Sequence, residues 1–532
     1  VKYILTGNFQ YDLGIYGLKK IFDFFDEEYK TDGKFYVETD RKPEEILELI
    51  VLKLTSDKGA NYFLSKLADT ILKDKKEEKK EYEKLIKENP VYVELDSEKL
   101  VKKEKSLDKV IKFLSEEIFK ALEEVFKQAS VQINKGEIEE ILWNKAVNLL
   151  NNILLNFQAN MSAKGKSVLE KAIQKLYKDI DENTICSFCE QNPAKRITRD
   201  TFFFAPAQFN AFWFNEPSIF ICPYCLVSNL AITQTFAFLG NEVDAVVIYR
   251  SNLEDMRNLN EGLKITDIGE LAKKVIDYEK LLLKQEATTK DLQIIEFHLD
   301  PQNPHLEFYM LADEIIDNLL KISNELEKLY TTYKDSLWGQ VKEKKGYKTV
   351  SISKELLRYL AQNQKLIYLV QQFSKLALMA ESFRQNDVKK PPVKGFYISV
   401  LLQILKMHFK LEEGLNMNHF EAFKEYGQLL RGRVYSQLSE NGAINWNTFN
   451  NKIISLANTF LDASKESFER FMEVLVRVMI SYDAPIDSSL LQMITKNTYK
   501  EIATTIALSV MTRKVGEKTQ NKEEKLIEDK SI

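Results

Sequence analysis

The sequence is short of cysteine, histidine, proline and glycine, and each shortage excludes something. Four cysteines in 532 residues cannot form the disulfide framework of a small secreted scaffold. Four histidines, His298, His305, His408 and His419, lie scattered, with no His-Asp doublet and no His-Glu-x-x-His. A metal nuclease centre needs several such ligands converging, so each is read as a structural or surface histidine. Lys164-Gly165-Lys166-Ser167 has Asn160 where a phosphate loop needs glycine, so a helix start is the expected reading. No Gly-x-Ser-x-Gly elbow is present either, and no enzyme activity is expected. No apolar run approaches the roughly 18 residues that cross a bilayer. Val1-Lys2-Tyr3-Ile4-Leu5 lacks the charged-then-apolar layout of a secretory signal. A cytoplasmic chain without membrane contact is the expectation.

What is present favours helices around sizeable cores. Apolar residues make up 44%, too many for a disordered chain, and charged residues reach 29%, chiefly Lys and Glu. The net charge of −4 gives no global pull toward nucleic acid, so any such binding must use local patches.

The four cysteines form two matched pairs, Cys186-Ser-Phe-Cys189 and Cys222-Pro-Tyr-Cys225. A two-residue gap lets a tight turn aim two thiolates at one tetrahedral metal, and zinc takes four sulfurs at about 2.3 Å. Two disulfides or a redox pair suit this pattern less, since no secretory or thioredoxin-like context accompanies it. The 32 residues between the pairs exceed the commonest spacing of about 15–20. Four thiolates leave no open position for a catalytic water, so a structural zinc is expected.

The fold class read from the sequence is an α+β N-terminal body with an embedded four-cysteine zinc module, followed by an all-α C-terminal helical bundle. The expected divisions are an α+β domain with helical insertions over 1–180, a zinc module over 181–240, a continuation of the body over 241–350, and the bundle over 351–532. Tyr3-Ile4-Leu5, Asp244–Tyr249 and Asp291–His298 read as strands. Leu13–Tyr29, 43–74 and 106–160 read as helices, and the Lys/Glu-rich Lys73–Lys87 as a solvated helix or loop. The aromatic run from Phe202 to Phe214 reads as short buried strands around the metal turn. Beyond 352 the apolar steps give helices over 394–411, 417–438, 446–461, 464–481 and 488–511. The residues from Gly516 on read as a polar, frayed end.

Two places can meet nucleic acid. One is Lys195-Arg196-Ile-Thr-Arg199, where a rigid turn can present cations to phosphate or to a guanine edge. The other is the stretch from Lys342 to Lys410, with fourteen basic residues against four acids. Lys389, Lys390 and Lys394 are the contact candidates taken from it, and such a belt suits phosphate contacts. A solvated helical face is the alternative for each.

These features together resemble the large subunit of type I-B CRISPR effector complexes, also called Cascade. The resemblance is carried by Thr6-Gly7-Asn8-x-x-x-Asp12-x-Gly14-x-x-Gly17-Leu18, by the two Cys-x-x-Cys turns, and by Gly427-x-x-Leu-Arg431 and Phe471-x-x-x-Leu-x-Arg477 in the helical part. It spans most of the chain, as motifs between long unmatched stretches. It implies a non-catalytic protein that joins the guide RNA and the CRISPR backbone subunits and binds target double-stranded DNA. It also implies reading of the short motif flanking the target, and recruitment of a helicase-nuclease in trans. Amides can pair with base edges, so Asn8, Gln10, Gln208 and Asn210 are candidates for that reading. Gly14 and Gly17 are read instead as backbone geometry and helix packing. The resemblance further implies a small subunit made from the same C-terminal part. Glu412-Glu413-Gly414 must be encoded by a purine-rich run, two codons before Met417, which makes Met417 the candidate internal start; Met407 and Met379 are competing starts, and an ordinary internal methionine is the alternative. A stand-alone zinc-ribbon nucleic-acid-binding protein is the alternative reading.

Overall fold

The computed structural model describes residues 1–152, 165–196, 220–239, 244–263, 270–284, 292–298, 305–344, 346–385, 388–439 and 444–512. The chain divides into two compact units. One comprises Val1–Lys264 with Gln293–Phe308, the other Ile265–Leu292 with Tyr309–Ile532.

The first unit is a mixed α/β body. Strand Lys2–Ile4 pairs antiparallel with Tyr36–Glu38, which also pairs with Lys30–Thr31. Helix Phe9–Phe25 follows the first strand. Asn8 caps its start, its Oδ1 accepting from Tyr11 N at 3.2 Å, and Asp26 ends it in the left-handed region. Twelve of its seventeen residues are buried, so it is a core helix and its glycines face protein. Pro43–Ile71 is a second long helix, broken at Gly59, whose φ of 73° is not helical. Helices Ser97–Glu104, Leu107–Gln128, Lys135–Asn148 and Ser167–Tyr177 pack against it. The helical stretch expected over 106–160 is, among the described residues, divided between two α-helices where Ser130 turns left-handed at φ 57°. The Lys/Glu-rich stretch forms helix Lys76–Glu88, solvated except for buried Tyr82. Ser167 opens a helix, as its Gly-Lys-Ser run suggests.

A four-stranded sheet has most of its residues in this unit, in the order His305–Leu311, Leu292–His298, Asp244–Tyr249, Ala237–Phe238. Asp244–Tyr249 runs antiparallel to Leu292–His298 with Val247 opposite Ile295, both fully buried. The His305–Leu311 strand was not anticipated, because Pro301 and Pro304 read as the close of the sheet.

The second unit is largely helical. Ile352–Ala361, Leu366–Gln385, Ile398–Leu411, Met417–Ser439, Trp446–Ala463 and Phe468–Ser481 pack with a final helix, Tyr499–Ser509. All ten residues from Glu501 to Val510 are buried, which makes that helix the centre of the bundle. Its hydroxyls are satisfied locally: Thr504, Thr505 and Ser509 each donate to the carbonyl four residues back at 2.6–2.7 Å. The helix expected over 488–511 is split, with Ser488–Gln492 separate from Tyr499–Ser509.

The expectation of helices alone beyond 351 needs correction. Strand Val393–Gly395 joins hairpin strands Trp338–Glu343 and Gly346–Ser351 in a three-stranded sheet, with Trp338–Glu343 central. Pro391-Pro392 reads as a helix break, but the residues after it pair with Gly339–Val341. Gly339 lies under the Phe396 ring, where a Cβ would come within 2.2 Å of ring carbons. Among the described residues no helix is long and apolar enough to cross a membrane.

Candidate metal centre and nucleic-acid interface

The four cysteines converge. Their sulfurs all lie within 4.8 Å of one another, and Cys189 Sγ is 3.7 Å from Cys222 Sγ. A disulfide would need about 2.05 Å. A tetrahedron of sulfurs at about 2.3 Å from a metal has edges of about 3.8 Å, so the cluster has the size of a metal site. Cys186, Cys222 and Cys225 are buried and Cys189 is partly so.

Each pair is held by its own local structure. Cys186 and Cys189 sit in the turn between strands Asp181–Ile185 and Pro193–Arg196. That turn is closed by Cys186 N donating to Asn192 O and Glu190 N donating to Cys186 O, both at 3.0 Å. Glu190 takes a left-handed φ of 53° to make it. Ser187 N donates to Phe220 O, and Phe220 N donates back to Ser187 Oγ. This ties the first pair to strand Phe220–Ile221, which leads into the second.

Cys222 is the N-cap of helix Pro223–Leu230, with Pro223 at its first position, where a missing N–H costs nothing. Cys225 N donates to Cys222 Sγ at 3.4 Å, and Cys222 N donates to Cys186 Sγ at 3.3 Å. Backbone donors and the positive end of a helix both favour thiolate. Asn192 Nδ2 adds a third donor, 3.6 Å from Cys189 Sγ.

Crowding sets the thiols against one another. Hydrogen bonds from Cys186 and the others pull Cys189 far below the usual thiol range. The same contacts, with burial, push Cys222 and Cys225 above it. All four can ionise together only with a cation among them.

The cluster is built onto the first helix. A Cβ at Gly14 would lie 2.5 Å from Ser228 O, and one at Gly17 would lie 2.0 Å from Ala231 O. The two glycines therefore let the backbones of Phe9–Phe25 and Pro223–Thr235 touch. Tyr11, one turn before Gly14, stacks on Phe188 at 5.3 Å, and its hydroxyl lies 3.6 Å from Cys225 Sγ. Burial and the neighbouring Cys225 keep that phenol protonated. Asp12 closes the preceding turn. Its carboxylate accepts from Thr6 N at 2.8 Å, Gly7 N at 3.0 Å and the Tyr249 hydroxyl at 2.8 Å. Burial raises its pKa, and these bonds pull the other way.

The structure treats the candidate contact residues differently. Asn8 is exposed, but its Oδ1 is committed to the helix cap. Gln10 is buried, so its amide cannot meet a base edge. Lys195 donates to Lys175 O and is partly buried, which lowers its pKa, whereas Arg196 is exposed. Arg199, Gln208, Asn210 and the aromatic run from Phe202 to Phe214 lie outside the described residues. Tyr11, Asn192 and Tyr249 were not singled out from the sequence. Tyr11 was within reach, because it shares a helix face with Gly14.

The long basic belt resolves into two populations. Arg358 pairs with Glu355, Lys375 with Asp462, Arg384 with Glu381, and Lys365 with Glu412. Lys406 and Lys410 both pair with Glu325, at 3.7 and 2.7 Å. By contrast, Lys342, Lys344, Lys348, Lys389, Lys390 and Lys394 gather around the three-stranded sheet. Among the described residues none of these six has a carboxylate within ion-pair distance. Lys394 Nζ lies 4.5 Å from the centre of the Tyr347 ring.

Two of the histidines lie against carboxylates. His298 Nδ1 lies 2.5 Å from Asp244 Oδ1, and buried His408 lies 3.4 Å from Glu501. Compared with known proteins, the chain matches no family model and no curated sequence.

Proposed function

We propose that this chain is the non-catalytic large subunit of a type I CRISPR RNA-guided surveillance complex, with one structural zinc held by Cys186, Cys189, Cys222 and Cys225. The observation that carries the reading is the junction of its two defining sequence features. The N-terminal Asp12/Gly14/Gly17 pattern and the cysteine pairs are far apart in the chain, yet they form one packed unit. A pattern of that kind serves to hold the metal module against the body. It leaves Thr6, Gly7, Asn8 and Arg196 exposed for contacts of their own.

In this reading the subunit binds target DNA beside the guide-RNA backbone, and the unpaired lysines of the second unit meet phosphate. A helicase-nuclease acts in trans. Zinc supplies no reaction step, since four sulfurs complete its coordination. A small subunit starting at Met417 fits the start of helix Met417–Ser439. That product lacks Leu366–Gln385 and Ile398–Leu411, which in the full chain pack against Trp446–Ala463 and Tyr499–Ser509. It must therefore cover the bared apolar face by self-association or on a partner.

Co-expression with CRISPR backbone subunits and guide RNA, followed by size exclusion, tests the assignment. Co-elution and a gain in target binding are expected. A chain that elutes alone, while the other subunits bind target equally well without it, defeats the proposal. The stand-alone alternative predicts tight nucleic-acid binding with no other subunit present.

A further inference from the structure

The outer face of the three-stranded sheet in the second unit has a composition that neither the motif resemblance nor charge alone explains. Antiparallel partners share a face, so register fixes which side chains stand together. Gln340 pairs with Thr349 on one side and Lys394 on the other, and Lys342 pairs with Tyr347. These five side chains therefore stand on one face. Glu343, paired with Gly346, falls on the opposite one, as do Val341 and Val393. The Trp338–Ser351 pair continues this face, which thus carries two lysines, Tyr347 and Trp338, three neutral polar groups and no carboxylate. Lys389 and Lys390, both exposed, enter beside it just ahead of Pro391.

The ring is fixed in place. The Tyr347 hydroxyl donates to Pro391 O at 2.8 Å, bridging from the hairpin to the segment before Val393–Gly395. Tyr347 is nonetheless 38% exposed. Gln340 Nε2 donates to Thr349 Oγ1 at 3.0 Å, which orients the amide and leaves its oxygen free for a donor.

We propose that this face binds a single strand of nucleic acid, one base stacking on Tyr347 and the flanking phosphates lying on Lys342, Lys394 and the Lys389–Lys390 pair. The inference rests on the nucleic-acid reading above and names its ligand. A duplex offers phosphates but hides its base faces, so it can use the lysines and not the ring. A single strand uses both, and base–aromatic stacking on a basic surface tolerates any sequence. Lys394 over the ring is placed for the exchange: when a base covers Tyr347, the ammonium moves to the adjoining phosphate.

Fluorescence anisotropy with the full chain tests this, using 12-nucleotide single strands of DNA and of RNA and a 12-base-pair DNA duplex. Tyr347→Ala should weaken single-strand binding about tenfold, within the range for loss of one stacked base. It should leave duplex binding and the salt slope unchanged. Tyr347→Phe, which keeps the ring and loses the bond to Pro391, should bind nearly as wild type. The triple variant Lys389→Glu/Lys390→Glu/Lys394→Glu should weaken every nucleic acid and flatten the salt dependence. A photo-crosslink from 5-iododeoxyuridine or 5-iodouridine strands should map by mass spectrometry to the 338–351 hairpin, a readout that survives if Tyr347→Ala misfolds. The DNA and RNA arms identify which strand the face prefers. Equal losses on single strand and duplex for Tyr347→Ala, or crosslinks that avoid the hairpin, overturn the stacking inference alone. A triple variant that binds all three probes as wild type overturns the phosphate reading of the lysines as well.

Discussion

The two units reach order by different means. In the first, a central helix is held against another backbone by absent side chains, at Gly14 and Gly17, and by a cysteine cluster whose thiols conflict without a cation. In the second, the central helix Tyr499–Ser509 is enclosed by apolar side chains, and its hydroxyls are satisfied within the helix itself. The first arrangement is sensitive to one ion and to single methyl groups at the contact. The second spreads its stability over many contacts, so single changes in it should be milder.

Metal removal should separate the units most strongly. Structural zinc contributes on the order of 10 kcal/mol of binding free energy in small metal modules, more than any one side chain. Metal analysis should return one zinc per chain. Chelation, or Cys222→Ser, should raise hydrogen exchange across Asp181–Arg196 and Phe220–Thr235, and then in Phe9–Phe25, which packs on them. Exchange in Met417–Ser509 should not change. Wild-type protection and metal content in Cys222→Ser would remove the cluster as the organiser of the first unit.

The glycine contacts come next. In Gly17→Ala the added methyl meets a backbone carbonyl at 2.0 Å, and backbone cannot rotate away. Overpacking of this kind costs about 1–3 kcal/mol or more. The counterpart in the second unit is Gly427, where a methyl meets Ser509 Oγ at 2.1 Å but Ile506 O only at 2.9 Å. The hydroxyl can turn aside, so Gly427→Ala should cost less than Gly17→Ala in thermal unfolding. The reverse order would mean that the helix contact in the first unit yields more easily than its geometry implies.

The same comparison explains what could be read in advance. The cysteine pairs were legible because ligand spacing within a turn is a local property. Gly14 and Gly17 were legible as packing positions, though not their partner carbonyls, since contact across more than 200 residues leaves no local trace. Helix periodicity gave most of the second unit, but not the break between Gln492 and Tyr499. The hairpin Trp338–Ser351 was missed because lysines stand on both of its faces, Lys342 on one and Lys348 on the other, which masks the alternation expected of a strand. Val393–Gly395 was missed because a double proline reads as an end and says nothing of what pairs after it. The charged belt was legible as composition only, because partners such as Glu325 and Asp462 are distant in sequence.

Arg431 gives a third, smaller test within the second unit. It is buried, its Nη1 lies 3.5 Å from Val510 O and 3.4 Å from Met511 O, and its guanidinium stands 5.0 Å from the Phe449 ring centre. A cation there serves the negative end of Tyr499–Ser509 and its last carbonyls. Arg431→Met keeps bulk and removes the donors, which should cost about 1–3 kcal/mol. Arg431→Lys should recover part of that loss. The change should appear as faster exchange at the end of the final helix. An unaltered stability in Arg431→Met would leave the cap without weight.

The smallest effect should be a gain. Gly432 lies in the middle of Met417–Ser439, five residues beyond Gly427, and a Cβ there would meet nothing within 4 Å. No contact demands glycine at that point. Its cost is entropic, because glycine gives up more conformational freedom in a helix than alanine does. Gly432→Ala should therefore stabilise the second unit by about 0.5–1 kcal/mol. Paired with Gly427→Ala, it separates two roles of glycine on one helix, since the substitution differs only in what the methyl touches. A stabilisation at both positions would show that Ser509 makes room at no cost. A loss at Gly432 would mean that the methyl does meet a neighbour there, contrary to the open space around that Cβ.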